Sequence, residues 1–348
     1  MNRQRILITG GAGFIGSNLA HRMLCQEHEV VIFDNLSRSG CQSNLNWLEQ
    51  QHGIGSFRLI VGDLKDFKTL LLASEGVDRI YHLAGQVAVT TSVKNPRLDF
   101  EDNALGTFNA LEAARLAGNK PIFIYASTNK VYGRMDEIET VEDKTRYRYV
   151  NHPFGISENQ PLDFHSPYGC SKGTGDQYVR DYARVYGLRT IVFRQSCIYG
   201  YRQFGIEDQG WIAWFIIAAL KKLPITIYGN GKQVRDVLFV EDLLDAYDAA
   251  VSNIATSTGQ VYNIGGGSEN TISVWVEFSQ ILEGLLGRHI PLKFGQWRPG
   301  DQPIYISDIR KAERELIWHP KVTITQGITL LYKWVCENMD LFAKSKNH

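Results

Sequence analysis

The chain has 348 residues, and 37 Lys plus Arg balance 37 Asp plus Glu to a formal net charge of zero. That balance excludes a nucleic-acid binder working through a bulk positive field, although it leaves room for local anion sites. A 44% hydrophobic and 21% charged composition belongs to a folded globular chain, and at roughly 150 residues per domain the length suggests two domains or one large α/β unit.

The chain start, Met1-Asn2-Arg3-Gln4-Arg5, runs straight into Ile6-Leu7-Ile8-Thr9 without a secretory apolar region and cleavage site. The longest apolar run, Trp211 to Leu220, is too short to span a bilayer. A cytoplasmic protein without a membrane partner is expected. Cys25, Cys41, Cys170, Cys197 and Cys336 form an odd set with no C-x-x-C pair, which reads as reduced thiols and no metal.

In chain order, β-type runs fall at Ile6–Thr9, Val30–Phe33, Phe57–Val61, Arg79–Leu83, Ile122–Tyr125 and Arg189–Phe193. Helix-period segments at Phe14–Leu24, Asn103–Ala117 and Tyr168–Tyr186 lie among them. Short runs of Val, Ile and Phe alternating with helices predict a doubly wound α/β fold, a Rossmann-type parallel sheet with its strands buried on both faces. Residues 134–166 form a long polar and aromatic insertion, expected as a functional loop. After residue 194 the rhythm weakens, with a turn at Gly229-Asn230-Gly231, a helix at Glu241–Val251 and a strand at Val261–Ile264. We expect residues 1–194 to form the dinucleotide domain, with 237–264 returning to it. Residues 195–236 and 265–348 are expected to form a smaller mixed lobe that completes a cleft.

Gly10-Gly11-Ala12-Gly13-Phe14-Ile15-Gly16 follows the first strand and opens a helix. Glycines there let the backbone approach a pyrophosphate, and the helix N-terminus directs N–H groups at it. Asp34 ends the second strand, 18 positions beyond Gly16, where a carboxylate accepts from ribose hydroxyls and repels a 2′-phosphate. NAD is therefore favoured over NADP, with Arg38 nearby as the countersign. Asp63 and Leu83-Ala84-Gly85, at the ends of the third and fourth strands, are weaker cofactor candidates. The expected cofactor set also takes in Asn35, Ser37, Leu64 and Asn103.

Tyr168 and Lys172 stand at i and i+4, one face of a helix. A free tyrosine titrates at about 10. A neighbouring ammonium and a bound nicotinamide cation would lower that value and let Tyr168 remove a hydroxyl proton. Thr128, and secondarily Ser127, follow the fifth strand and are placed to hydrogen-bond the reacting oxygen.

With Gln233-Val234-Arg235-Asp236 added, these motifs make the chain resemble the extended short-chain dehydrogenase/reductase family, the nucleotide-sugar epimerases and dehydratases, over nearly its whole length. The resemblance implies NAD, a nucleotide sugar held by the C-terminal lobe, and a homo-oligomer, dimer or tetramer, packed through the helices near 103–117 and 168–186. The family's dehydratases carry Thr-Asp-Glu before Val-Tyr-Gly. This chain reads Thr128-Asn129-Lys130-Val131-Tyr132-Gly133, so dehydration is disfavoured.

Four stretches resemble family members that invert C2 of a CDP-linked 3,6-dideoxyhexose, a sugar of surface polysaccharides. They are His82–Ala88, Ser127–Gly133, Asp163–Gly173 and Asp208–Trp211. Cys197 stands where many members have asparagine. A C2–H without an adjacent ketone is not acidic, so transient oxidation at C2 is the expected route, with Tyr168 as base, Thr128 and Ser127 on the oxygen, and Lys172 tuning Tyr168. Arg235 and Arg298 are the expected diphosphate ligands, since guanidinium grips phosphate bidentately. Gln86, His165, Gln209, Trp211 and Gln233 are further substrate candidates. The alternatives are epimerisation at C2 of CDP-glucose or C4 of a UDP-sugar, a reductase consuming NADPH, or a catalytically silent NAD-binding protein.

Overall fold

The computed structural model describes residues 3–298 and 301–342. Along the chain run β1 (Arg5–Thr9), α1 (Phe14–Cys25), β2 (Glu29–Asp34), α2 (Cys41–His52), β3 (Arg58–Val61), α3 (Phe67–Ser74), β4 (Arg79–His82), α4 (Val89–Lys94) and α5 (Pro96–Asp99). A π-helical segment, Phe100–Leu105, continues α5 directly into α6 (Gly106–Leu116), and β5 (Ile122–Thr128) follows. Then come β6 (Thr140–Glu142), β7 (Tyr147–Tyr149), α7 (Ser166–Tyr186), β8 (Arg189–Gln195), β9 (Cys197–Tyr199), α8 (Trp211–Leu220), β10 (Ile225–Tyr228), β11 (Val234–Phe239), α9 (Val240–Ser252), α10 (Ile254–Ser257) and β12 (Val261–Ile264). The last elements are β13 (Thr271–Ser273), α11 (Phe278–Leu286), β14 (Leu292–Gly295), β15 (Ile304–Tyr305), α12 (Arg310–Leu316) and α13 (Ile324–Glu337).

Two compact units emerge. The first takes residues 1–131, 166–194 and 247–262, and the second takes 132–165, 195–246 and 263–348. The expected boundaries differ at three places, residues 132–165, 237–246 and 263–264, all of which fall in the second unit. Residues 132–165 belong to the second unit, because this insertion carries the antiparallel β6–β7 hairpin and Tyr149 donates to the Ile304 carbonyl at 3.1 Å. Residues 237–246 stay there too, since β11 pairs with β9, β13 and β15. The insertion is thus a built hairpin with flanking loops rather than one continuous loop.

A seven-stranded sheet, ordered β12-β8-β5-β4-β1-β2-β3, centres the first unit. β1 pairs in parallel with β2 on one side and β4 on the other, so the order reverses there. In a doubly wound sheet that reversal opens the ligand crevice at the strands' carboxyl ends. Ile6, Leu7 and Ile8 of β1 are fully buried, as the uninterrupted apolar pattern requires. Edge strand β3 departs from the expectation of two buried faces. Leu59 and Val61, which share one face of it, are exposed, whereas the opposite edge strand β12 is buried throughout.

Helix α7 is fixed to β5 by close approach and by charge. A Cβ at Gly175 would come within 2.5 Å of the Tyr125 hydroxyl, so glycine lets the helix lie against that ring. One turn beyond Lys172, Asp176 takes two guanidinium contacts from Arg194 of β8, at 2.8 and 2.9 Å, and a third hydrogen bond from Ser127 at 2.9 Å. Arg194 and Asp176 are both almost completely buried.

Removing one partner of such a pair leaves an uncompensated buried charge. Arg194→Met is expected to lower unfolding stability by about 3–5 kcal/mol in a denaturant titration; a loss below about 1 kcal/mol, the range of an exposed pair, contradicts that role.

Candidate active site

The dinucleotide cradle is built at the carboxyl ends of β1, β2 and β4. Gly10 has φ +70, and a Cβ there would come within 2.7 Å of the Ala84 backbone nitrogen. A Cβ at Gly16 would press into the Gly10 carbonyl oxygen and within 2.6 Å of the Gly11 Cα. Glycine is therefore required twice to let the turn between β1 and α1 fold back on itself and beside Leu83-Ala84. Gly13 is the residue from which α1 departs at Phe14 and Ile15.

Asp34 is buried at the end of β2 and takes the Ala12 N–H at 3.0 Å and the Leu36 N–H at 2.8 Å. Burial raises its pKa, against those two hydrogen bonds and the Arg38 charge. The carboxylate thus pins the glycine turn to the loop holding Asn35, Ser37 and Arg38. Asn35 donates to Asp63 at 3.3 Å and accepts from the Ser37 N–H at 3.1 Å. Leu64, next to Asp63, is buried, and its carbonyl takes the Asn109 amide at 2.8 Å.

His82 closes β4 between two hydroxyls, Thr9 at 2.8 Å and Thr107 at 3.0 Å. Burial, with the Lys172 charge adding to it, pushes its imidazole down to about 3, so it is neutral. The adjoining Leu83-Ala84-Gly85 run passes Asn103 so closely that a Cβ at Gly85 would overlap the Asn103 Oδ1. That oxygen is buried without a hydrogen-bond partner. An orphaned acceptor beside a glycine-lined passage, with the cradle at Gly10–Gly16, fits a bound dinucleotide. Among the described residues, those that would hold it are the Gly10–Gly16 turn, Asp34, Leu83–Gly85 and Asn103.

On α7, Tyr168 and Lys172 are both buried. Tyr168 shares a hydrogen bond with the Thr128 hydroxyl at the end of β5. Burial pushes its phenol up to about 12, the Thr128 bond opposing, with the Asp99 charge raising it and Arg38 lowering it. The expected tuning by Lys172 takes another form. The Lys172 ammonium lies 4.3 Å from the Tyr125 ring centre, and burial pushes its pKa down to about 7 despite the Asp176 and Asp99 carboxylates. In the chain alone the lysine is occupied with its own desolvation, and a lowered phenol requires a further cation. Strand β5 runs through Ser127 and Thr128 rather than stopping at Tyr125, so alternation sends the two hydroxyls to opposite sides. Ser127 goes to Asp176 and Thr128 to Tyr168. This favours Thr128 over Ser127 for the reacting oxygen.

The sequence reading missed Asp99. It is fully buried and accepts from the Ser171 hydroxyl at 2.6 Å, from Gln86 at 2.8 Å and from Asn103 at 3.1 Å. Gln86, expected to touch substrate, instead spends its amide on Asp99 and on the Ala88 backbone. The helical i, i+4 spacing of Asp99 and Asn103 was the available signal.

In the second unit, Arg235 on β11 is buried and donates to the carbonyls of Val234 at 2.7 Å and Gln302 at 2.9 Å, with Asp301 at 3.3 Å. Arg298 pairs with Asp208 at 3.0 Å and stacks 4.0 Å over the Tyr228 ring. Gln233 donates to the Tyr228 carbonyl at 2.6 Å, while its own carbonyl oxygen is buried and unpartnered. Tyr228 thus joins Gln233 and Arg298, and it escaped the sequence reading. Trp211 packs on Phe215 and Phe278 with a buried, unpartnered indole N–H. The Gln209 backbone closes a tight turn with Ile206, and His165 is exposed. Pro299 and Gly300, between Arg298 and Asp301, lie outside the described residues.

A glycine cradle at the switch point of a parallel sheet, followed by a buried Tyr-x-x-x-Lys pair and a threonine on the tyrosine, defines a dehydrogenase/reductase-type site on a Rossmann-type fold. The chain belongs to the family described as GDP-mannose 4,6 dehydratase, whose model matches residues 7–331. It is 45% identical over 339 residues to the CDP-paratose 2-epimerase of Salmonella typhi, covering 95% of this chain and 98% of that protein. Identity to the UDP-glucose 4-epimerase of Mycolicibacterium smegmatis is 34%, covering 93% and 96% of the two chains. Among solved structures, the dTDP-glucose 4,6-dehydratase of Streptomyces venezuelae with NAD bound is similar at a TM-score of 0.82 and 28% identity, covering 97% of this chain and 98% of that one. The UDP-glucose 4-epimerase of Thermotoga maritima with UDP-glucose also gives a TM-score of 0.82, at 29% identity, covering 96% and 99%.

The lowered Lys172 pKa has a measurable sign. Its proton leaves the folded chain near about 7 and the unfolded chain near 10.5. Between those values the unfolded state holds more protons, so this residue's contribution to stability rises with pH. The stability of the cofactor-free protein relative to Lys172→Met is expected to climb across that window, by up to about 1.4 kcal/mol per pH unit. A pH-independent difference in denaturant midpoints contradicts it.

Proposed function

We propose that this chain is an NAD-dependent isomerase that inverts C2 of CDP-paratose to give CDP-tyvelose. The observation that carries the reading is the 45% identity, over nearly the full length of both chains, to a CDP-paratose 2-epimerase. NAD bound in the cradle supplies a reversible hydride acceptor and the positive charge of its nicotinamide. Tyr168 removes the C2 hydroxyl proton, Thr128 holds the same oxygen, and Lys172 stays near the tyrosine on the next turn of α7. The sugar ketone turns its other face and is reduced again, so no second redox substrate is consumed. Arg235, Arg298 and Gln233 are assigned to the nucleotide diphosphate, which must stay anchored while the sugar turns.

Dehydration fits this chain poorly, despite the family's descriptive name. Asn129 has no titratable proton, and Lys130 carries the wrong charge for a carboxylate base. The second reading, epimerisation at C4 of a UDP-sugar, draws on the 34% identity to a UDP-glucose 4-epimerase.

Product NMR after incubation with CDP-paratose, CDP-glucose and UDP-glucose in parallel separates the readings, and turnover of UDP-glucose alone overturns the first. With CDP-paratose deuterated at C2, the label is expected to remain on C2 of the product. Full exchange with solvent refutes transient oxidation at C2. Tyr168→Phe is expected to lower kcat by at least about 100-fold, the lower end of what a general base contributes.

We assign the enzyme to the cytoplasm and to the supply of activated sugars for surface polysaccharide such as O-antigen. The described helices offer none long and apolar enough to cross a membrane. We further assign it a homo-oligomeric state packed through α6 and α7. Phe108, Leu116, Tyr178, Val185 and Tyr186 leave a band of exposed apolar side chains there, and Phe108 meets Tyr178 edge-on at 5.7 Å. Phe108→Glu combined with Tyr178→Glu is expected to give a monomer by light scattering. An unchanged mass places the interface elsewhere.

A further inference from the structure

The far ends of α1 and α2 bring together three side chains that the dinucleotide site leaves unused. His21 and Cys25 stand one turn apart on α1, and His52 is the last residue of α2. His21 Nδ1 lies 2.9 Å from His52 Nε2, and Cys25 Sγ lies 3.8 Å from His21 Nε2. One donor atom from each residue falls within 4.8 Å of the other two. A tetrahedral Zn²⁺ with bonds of about 2.0–2.1 Å to nitrogen and about 2.3 Å to sulfur holds its donors roughly 3.3–3.6 Å apart. The two short contacts use opposite nitrogens of His21 and an ion takes only one of them, so side-chain rotation must close a donor separation of up to 4.8 Å to ligand spacing.

We propose that His21, Cys25 and His52 form a binding site for a zinc-class transition-metal ion, with water as the fourth ligand. Two imidazoles and a thiolate are the donor set that selects zinc-class ions over Mg²⁺ or Ca²⁺. Metal binding displaces the thiol proton from Cys25, which passes to solvent. Access is open. Cys25 is exposed, and His52 borders a surface groove of about 470 Å³.

No zinc motif is visible in the sequence, because the third donor stands 27 positions after the His-x-x-x-Cys pair and only the packing of α1 on α2 makes them neighbours. The consequence is a clamp. α1 starts at the Gly10–Gly16 turn, and α2 starts just past the Asp34–Arg38 loop. An ion at their opposite ends would tie together the two helices that carry the cradle, without touching a reacting group.

The test uses full-length protein stripped with chelator and titrated with Co²⁺, then Zn²⁺. We expect one saturable equivalent of Co²⁺ with a near-ultraviolet thiolate charge-transfer band and tetrahedral visible bands, all displaced by Zn²⁺. Cys25→Ser should lose the charge-transfer band, and His52→Gln should weaken binding by at least about tenfold. Zn²⁺ should raise the melting temperature of the wild type but not of His52→Gln, whose melting temperature in chelator should match the wild type and so report an intact fold. The ring of Trp47 lies 4.9 Å from that of His21, so Cu²⁺ should quench its fluorescence in the same stoichiometry. Non-saturating binding, a charge-transfer band that survives Cys25→Ser, or equal affinity in His52→Gln overturns the proposal. The readouts are spectroscopic and thermal, so failure to turn over CDP-paratose leaves them unaffected.

Discussion

The active site is organised by the cost of taking one ammonium out of water. Lys172 is buried against the face of Tyr125, and burial alone pulls its pKa far below that of a free lysine. A charge so placed needs fixed negative groups nearby, and the fold provides two. Asp176 acts from the next turn of α7, already held by Arg194 and Ser127. Asp99 acts from the end of α5, already held by Ser171, Gln86 and Asn103. Neither carboxylate is free to swing, so each is a fixed charge rather than a mobile counterion.

Several features that look separate follow from this arrangement. The π-helical segment Phe100–Leu105 lies where Asp99 and Asn103 must both address Ser171. Such widened turns are frequent at functional sites. The amide of Asn103 is spent on that network, which leaves its oxygen aimed at the glycine passage with no partner. Strand alternation divides Ser127 from Thr128, so one hydroxyl serves the buried charge pair and the other serves Tyr168. Tyr168 itself stays a weak acid in the chain alone. The base role proposed for Tyr168 would therefore depend on a further positive charge beside it, such as that of a bound nicotinamide.

Overall neutrality is compatible with the two anionic ligands proposed, because each unit offers local groups suited to phosphate. In the first, backbone N–H groups and a helix terminus need no side-chain charge. In the second, Arg235 and Arg298 rest on Asp301 and Asp208, so the guanidinium groups are pre-positioned while their net charge is offset. An equal count of acidic and basic residues is thus no obstacle to the dinucleotide and nucleotide sugar proposed as ligands.

The sequence by itself determined the alternation of strands and helices, the glycine turn, Asp34, and the Tyr168–Lys172 pair. Each is a local pattern: apolar runs, a backbone that tolerates no Cβ, or a helical i, i+4 spacing. It could not place Asp99, the true partner of Ser127, the hairpin within 134–166, or the His21–Cys25–His52 cluster. Those depend on which segments become neighbours: β5 on α7, β7 on β15, α1 on α2. Tertiary packing also supplies a desolvation that no sequence motif encodes, which raises the Tyr168 phenol and lowers the Lys172 ammonium in the chain alone.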